Sequence, residues 1–389
     1  MAKSLIALSL ILALTPLATP AHAIDPLVEL GQQIFDSETF DGNGRTCKTC
    51  HDANQAYSIT SDGIATLFAS NPLDPLFINE NDPALATLEN SCLLRGGDFR
   101  ALMLENPDGF GSPPVFRNAP HLLNVGLTAP YGQTGDVPLL RDFVEPAIVQ
   151  HVTKTMARVA GVDFRVPTSG ELDALEAFLN SLSFPTDGNL SLDRMIDYAI
   201  ELGADAAAIQ RGRDLFFGPL AQCFRCHSGP TLADADGSLG TGTGNLNFNT
   251  GVVNLIANQD DGCIGGPGDP TDPLPEEDGG NREFNTTSLL GVATTGPFFH
   301  DGAAKTLRRA VDHYRTFTFF NSPAGQLMPT DSAFTNLDAS DITAFLEALS
   351  VDPPTALPSS SPWSISLLVV LLLAMPSLAG ALRRCFTTW

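Results

Sequence analysis

The sequence predicts a mainly α-helical, loop-rich chain in which one structural plan is used twice. Three observations predict it: a C-x-x-C-H pentapeptide in each half, a similar amphipathic helix closing each half, and a constant offset between corresponding segments. With 389 residues, 43% of them hydrophobic, the chain can bury two domain-sized cores. Its 21 basic and 44 acidic residues leave a formal charge of -23. So acidic a body excludes a nucleic-acid binder and suits a small basic partner or a neutral substrate.

The elements follow in chain order. Residues 1–23 set Lys3 ahead of an apolar run from Leu5 to Leu17 and end on Ala21-His22-Ala23, the layout of a secretory signal peptide cleaved after Ala23. An amphipathic stretch (Val28, Leu30, Gly31, Ile34, Phe35) then leads into Cys47-Lys48-Thr49-Cys50-His51. Its counterpart (Ile209, Gly212, Leu215, Phe216) leads into Cys223-Phe224-Arg225-Cys226-His227. The segment from Phe116-Arg117-Asn118-Ala119-Pro120 to Thr128-Ala129-Pro130-Tyr131 parallels that from Phe284-Asn285-Thr286-Thr287 to Thr295-Gly296-Pro297-Phe298. Each half closes on a helix with apolar residues three and four apart: Leu172, Leu175, Phe178, Leu179 and Leu182, then Ile342, Phe345, Leu346 and Leu349. Pro130 to Pro297 and Phe178 to Phe345 span the same number of residues, whereas the loops after the two pentapeptides differ in length.

Two domains are therefore expected, over 24–185 and 186–352, joined near 184–205. The stretch 231–283, with its run from Gly268 to Gly280, is expected to be an irregular surface loop. In the tail, 353–389, a Pro/Ser linker reaches Trp363, an apolar run from Ile365 to Leu382, and Arg383-Arg384. That run is just long enough to span a bilayer, with its arginines on the cytoplasmic side. The same order also resembles the C-terminal sorting tails of Gram-negative exported proteins, which are held at the membrane and then cleaved. Either way the body is expected in the periplasm or at the cell surface.

Both pentapeptides have the attachment pattern of c-type heme. Two cysteines three apart on a helical turn can bond the two vinyl groups of one porphyrin, and the adjacent histidine then reaches the iron. A zinc or redox pair rivals that reading for a single motif. Two motifs in an exported chain point to two covalently bound c-type hemes, one in each of two cytochrome c-type domains. Cys92 and Cys263 stand outside the motifs; export favours disulfides, and a bond between them across the halves is open. Cys385 falls in the tail.

Iron with two protein ligands moves electrons, whereas iron with one free face can bind and activate peroxide. In the second half a helix ends Ala310-Val311-Asp312-His313-Tyr314. The shared offset carries Tyr314 onto Ala147, which cannot ligate iron. The sequence thus suggests a second heme closed by Tyr314 and a first heme left open. His313 and Met328 are rival ligands for the second iron.

The two C-x-x-C-H sites resemble those of the bacterial di-heme cytochrome c peroxidase family, which includes the MauG-type enzymes. So do Arg117-Asn118-Ala119-Pro120-His121-Leu122-Leu123-Asn124 and the segment from Pro297 to Leu307. The resemblance covers roughly residues 27–350. It implies a peroxidatic first heme, held by Cys47, Cys50 and His51. It also implies a second heme, held by Cys223, Cys226, His227 and Tyr314, that takes electrons from a small cytochrome c or cupredoxin. Hydrogen peroxide is the implied substrate, and a homodimer is open. Tyr314 stands where the peroxidases place a methionine and the MauG branch a tyrosine. The resemblance further implies a calcium ion between the hemes, held by the Asn118 side chain and the carbonyls of Thr295 and Pro297; oxygen-only ligands suit calcium.

The pattern departs from the family in three places. Gln133, in Gly132-Gln133-Thr134-Gly135, stands where the family usually has an inter-heme tryptophan, and both tryptophans of the chain, Trp363 and Trp389, lie in the tail. Tyr131 is the nearest aromatic relay, or simply core. The family's distal Gln and Glu have no clear match in Phe143–His151, where His151, Gln150 and Glu145 are the catalytic candidates. His151 is read equally as base, as ligand or as surface residue. The peroxidases' removable histidine is also absent, since residues 95–117 contain none. His121 is expected to be structural, and His300 to bond a heme propionate or its own loop.

Overall fold

A computed structural model describes residues 25–93, 102–105, 115–252, 282–328 and 334–354. The signal peptide, Cys263, the Gly268–Gly280 run and the apolar tail lie outside the described residues, as does the side chain of Cys92. The expected Cys92–Cys263 bond falls there too. Among the described residues no helix is long and apolar enough to cross a membrane.

The first half runs α1 (Pro26–Ser37), α2 (Ser61–Ser70), α3 (Pro83–Leu93), β1 (Leu102–Glu105), β2 (Val115–Asn118), α4 (Leu140–His151) and α5 (Ser169–Ser181). The second runs α6 (Leu192–Glu201), α7 (Ala206–Phe217), four two-residue strands β3 (Ala235–Asp236), β4 (Thr243–Gly244), β5 (Asn247–Phe248) and β6 (Phe284–Asn285), then α8 (Leu307–His313), α9 (Phe317–Phe320), α10 (Pro323–Leu327) and α11 (Asn336–Ala348). Helices dominate, as the periodicity predicts. The strands form antiparallel pairs β1–β2, β3–β4 and β5–β6.

Matching local chemistry starts the matching helices. Asp25 caps α1 and Asp205 caps α7, each accepting from backbone N–H groups of the first turn. Thr168 with Glu171 and Thr335 with Asp338 close capping boxes on α5 and α11. In each half the two capped helices cross at a glycine. A Cβ on Gly31 would lie 1.9 Å from the Ala174 carbonyl oxygen, and one on Gly212 would lie 1.9 Å from the Asp341 carbonyl oxygen. Only backbone fits there, and the close crossing hangs each pentapeptide beside its closing helix. The isolated bridges Asp52–Ser58 and Ser228–Asp234, then Tyr131–Val137 and Phe298–Ala304, repeat the same plan.

Each half has its own core. Ile34, Phe35, Val144, Ile148, Leu175 and Phe178 pack in the first; Ile209, Phe216, Val311, Ile342, Phe345 and Leu346 pack in the second. Between them runs a seam of amide groups. Asn118 N donates to His300 O at 2.7 Å and Asn285 N to Gln133 O at 2.8 Å. Asn245 Nδ2 spans both sides, reaching Thr128 O at 3.2 Å and Thr286 O at 2.9 Å. Within 231–252, the described part of the stretch expected to be a surface loop before residue 282, the chain differs from that expectation. Leu232, Ala235 and Phe248 are buried, because this part of the chain packs under the second site instead of looping into solvent.

Candidate functional site

In the second half a 3-10 turn, Cys223–Arg225, follows α7. His227 N donates to Cys223 O at 2.9 Å, and the His227 Nδ1–H donates to Leu232 O at 3.0 Å. Fixing that proton on Nδ1 leaves Nε2 as the lone-pair atom, the arrangement a metal-binding imidazole needs. Cys223, Cys226, His227 and Tyr314 line one cavity of ≈ 240 Å³ whose other walls are mostly apolar, among them Phe216, Val311, Phe319 and Leu346. Burial pushes Cys223 and Cys226 up to about 12 and His227 down to about 4. Burial, with Cys226 and Cys223 adding to it, also raises the Tyr314 phenol. The phenol therefore yields its proton only to a strong cation in the cavity. Two thiols, an imidazole and a phenol on apolar walls fit a c-type heme.

Of the two rival ligands, His313 is not among the residues that line this cavity. Its Nε2 bonds Thr250 O at 2.9 Å, and one residue of helical rotation turns it away from the wall that Tyr314 joins. Met328 lines the same cavity as Tyr314, so that alternative stands.

The first half repeats the motif geometry. The 3-10 turn Cys47–Thr49 brings His51 N to Cys47 O at 3.0 Å, and His51 Nδ1–H donates to Tyr57 O at 2.9 Å. Burial raises Cys47 to about 12 and Cys50 to about 11, and it lowers His51. Reactive thiolate pairs are held the other way, below their ordinary value. Against zinc, among the described residues no three His, Cys, Asp or Glu side chains gather into a metal-binding group.

What surrounds the first site is different. The C-terminal carbonyls of α4, which a helix leaves without partners, are taken by the loop before Cys47. Asn43 Nδ2 donates to His151 O and Thr153 O, both at 3.0 Å, and Arg45 Nη1 reaches His151 O at 3.4 Å. Arg45 is 2% exposed and fully satisfied. It forks onto Glu89 at 2.7 and 2.8 Å and donates to Pro75 O and Leu76 O. This arrangement brings His151 beside His51. Burial lowers His151 to about 3, with Arg45, His51 and Arg158 adding to the effect, so it is neutral at pH 7. Gln150 Oε1 is buried without a partner.

Glu145, the third candidate, has an exposed side chain. Leu140, Val144 and Ile148 form the buried face of α4, and Glu145 lies about 100° around the helix from Val144.

Asn118, Thr295 and Pro297 all line the cavity, as the sequence expectation requires. Asn118 Nδ2 donates to Pro297 O at 2.6 Å, and Gln133 Nε2 donates to Asn118 O at 2.6 Å. Asn118 Oδ1 and Gln133 Oε1 are buried acceptors without partners. A hard cation with neutral oxygen ligands fits that pair.

Sequence reasoning missed two features. Arg45 meets Glu89, and the only trace of this in the sequence is one charge placed just before the first pentapeptide. His121, read as structural, lines the cavity with His227 and also lies close enough to His51 to feel its charge. His300 stacks on Phe284 with ring centroids 4.1 Å apart. Tyr131 is core: it packs in the first-half cluster.

No protein-family model matches the chain, and no curated protein matches its sequence. Among solved structures, a MauG-like protein associated with microbial copper homeostasis aligns with a TM-score of 0.46 at 17% identity, over 85% of this chain and 94% of that one. The diheme peroxidase BthA from Burkholderia thailandensis E264 aligns with a TM-score of 0.45 at 20% identity, over 85% and 87%. Hydrazine synthase of Kuenenia stuttgartiensis aligns with a TM-score of 0.42 at 18% identity, over 83% and 87%. The first two of these neighbours are a MauG-like protein and a diheme peroxidase. Such low scores assign no activity to this chain, which rests on its own residues.

Proposed function

We propose that the chain is an exported, duplicated di-heme c-type oxidoreductase that reduces hydrogen peroxide at the site of His51. Electrons arrive through the site of His227 from a small cytochrome c or cupredoxin. The domains run 24–185 and 186–352, between a signal peptide at 1–23 and the tail at 353–389. The observation that supports this reading best is the asymmetry of the two sites. A phenol lines the cavity of His227, while Ala147 holds the corresponding place in the half of His51.

Each heme, when bound, supplies an iron that exchanges single electrons and, where a face stays free, a place for peroxide. The residues do the rest. Cys47 and Cys50 anchor one group and Cys223 and Cys226 the other. The carbonyls of Tyr57 and Leu232 hold His51 and His227 with Nε2 available for iron. Tyr314 occupies the far side of the second site. His151, neutral and held at the end of α4, takes a proton from one peroxide oxygen and returns it to the leaving oxygen. Overall, hydrogen peroxide takes two electrons and two protons and yields two waters. Asn118 Oδ1, with the carbonyls of Thr295 and Pro297, would hold a calcium ion at the seam.

Tyr314 also favours a second reading, a MauG-like oxidase acting on a protein or organic substrate, because an anionic oxygen ligand suits oxidised iron. A third, a non-catalytic electron carrier, follows if His151 ligates the first iron. Absorption and spin-resonance spectra of the ferric protein test the asymmetry. One high-spin and one low-spin heme, with cyanide binding the first alone, is the expected result. Two low-spin hemes that never bind cyanide would end the enzymatic readings. Peroxide turnover with reduced cytochrome, set against turnover with organic donors, separates the first reading from the second.

A further inference from the structure

The end of α4 is held from outside its own helix. Pro146, inside α4, supplies no N–H and interrupts the run of helical bonds, so the first turns do not by themselves fix the last one. Asn43, in the loop before Cys47, does. Its backbone N–H donates to Val152 O at 2.9 Å, and its Nδ2 donates to His151 O and Thr153 O, both at 3.0 Å. One residue thus takes three consecutive carbonyls. Asn43 Oδ1 accepts from Arg45 N at 3.1 Å, which turns the donor end of the amide toward the helix. The approach is close, since a Cβ on Gly42 would lie 2.0 Å from Val152 O. Behind Asn43, Arg45 ties the loop to Pro75 O at 2.8 Å, to Leu76 O at 3.0 Å and to Glu89, and it reaches His151 O at 3.4 Å.

The second half is built differently here. The offset between the pentapeptides puts Pro219 and Ala221 where the first half has Asn43 and Arg45, and neither side chain can donate. The end of α8 is closed by its own next residues instead: Thr316 N and Oγ1 donate to His313 O at 2.9 and 2.7 Å. In the first half the last turn is tied to the loop that delivers the cysteines; in the second it is tied to itself.

We propose that Asn43, backed by Arg45, is a positioning residue: by holding the end of α4 to the cysteine loop, it keeps His151 where its ring can take a proton from a ligand arriving at the first iron. The proposal rests on the reading of His151 as the base. Burial, with Arg45, His51 and Arg158 around it, keeps that ring neutral at pH 7 and so able to accept. From peroxide His151 takes one proton off the oxygen that meets the iron and returns it to the leaving oxygen; Asn43 exchanges neither proton nor electron. A base misplaced by about 1 Å can lose a factor of about a hundred.

The test is the rate at which cyanide binds the ferric two-heme protein, followed optically across pH. Near neutral pH the ligand arrives as hydrogen cyanide and must lose its proton to bind through carbon. At alkaline pH it arrives as the anion and needs no base. At neutral pH His151→Ala is expected to slow binding by about a hundredfold and Asn43→Ala by about tenfold. The double variant should be no slower than His151→Ala, because Asn43 acts through the ring. Asn43→Ser, which keeps one side-chain donor, should recover part of the rate, and it carries the comparison if Asn43→Ala fails to take up its first heme. At alkaline pH every variant should match the unaltered protein, with resting spectra unchanged.

Full-speed binding in Asn43→Ala beside slow binding in His151→Ala would overturn the proposal and leave the base reading intact. So would slowing that adds to that of His151→Ala or persists at alkaline pH, since it marks a distorted site and not a misplaced base. A His151→Ala protein that binds cyanide at full speed ends the base reading and this proposal with it.

Discussion

The two halves share a scaffold and differ in what stands over the histidine. In both, a capped helix crosses its closing partner at a glycine and delivers a 3-10 turn of cysteines. In both, a backbone carbonyl fixes the imidazole tautomer. Beyond that they part. Two residues before the first cysteine, the amino-terminal half has Arg45, locked to Glu89; the other half has Ala221 there. Where the carboxyl-terminal half puts Tyr314 on the cavity wall, the first has Ala147, with His151 at the end of the same helix. The lesson is that one scaffold, used twice, acquires different surroundings for its histidine from a few side chains outside the motif.

The largest test of that difference removes the buried ion pair. Glu89→Ala leaves Arg45 buried and unpaired, and is expected to cost ~3–5 kcal/mol, read as a lower urea midpoint with loss of the first heme before the second. The shared scaffold is probed by Gly212→Ala. Its new methyl meets the Asp341 carbonyl, so α7 must lift, at ~1–3 kcal/mol, with the second heme disturbed instead. His151→Ala should lower peroxide turnover by about a hundredfold while cyanide still binds the first site. If turnover survives, His151 is no base.

A smaller effect is expected from acid. His121 and His151 lie at about 4 and about 3 in the folded chain, below their ordinary 6.5, chiefly through burial. The unfolded chain therefore takes up protons first as pH falls. Stability is intact above pH 6.5 and drains away between 6.5 and about 3, which a series of thermal midpoints measures. His121→Asn should flatten the upper part of that slope. The smallest effect belongs to Glu145→Gln, on the exposed side of α4. Its stability should stay within ~0.5 kcal/mol and its peroxide turnover unchanged.

Much of this was legible in the sequence because its signals are local. The two pentapeptides, the capping residues and the three-and-four periodicity each act within one or two turns, and the repeat offset located Tyr314. Asn118 and Pro297 meet across the seam through a direct hydrogen bond. What stayed hidden depends on partners far along the chain. Arg45 finds Glu89 only once α3 folds back, and His121 reaches the cavity of His227 only when the two halves meet. The exposure of Glu145 is set by the phase of α4, which Val144 and Ile148 fix by facing the core.

The glycine crossings have a consequence for how such a molecule can diversify. With main chain touching main chain at Gly31 and Gly212, a side chain at either crossing has to push two helices apart, and the cysteine turn that follows each helix moves with them. Adaptation to bulkier reactants has to come from the opposite rim, the short helices and strands around Phe248, Phe319 and Met328. Variation among descendants of this chain is therefore expected to collect on that rim and to spare the hinge-free spine.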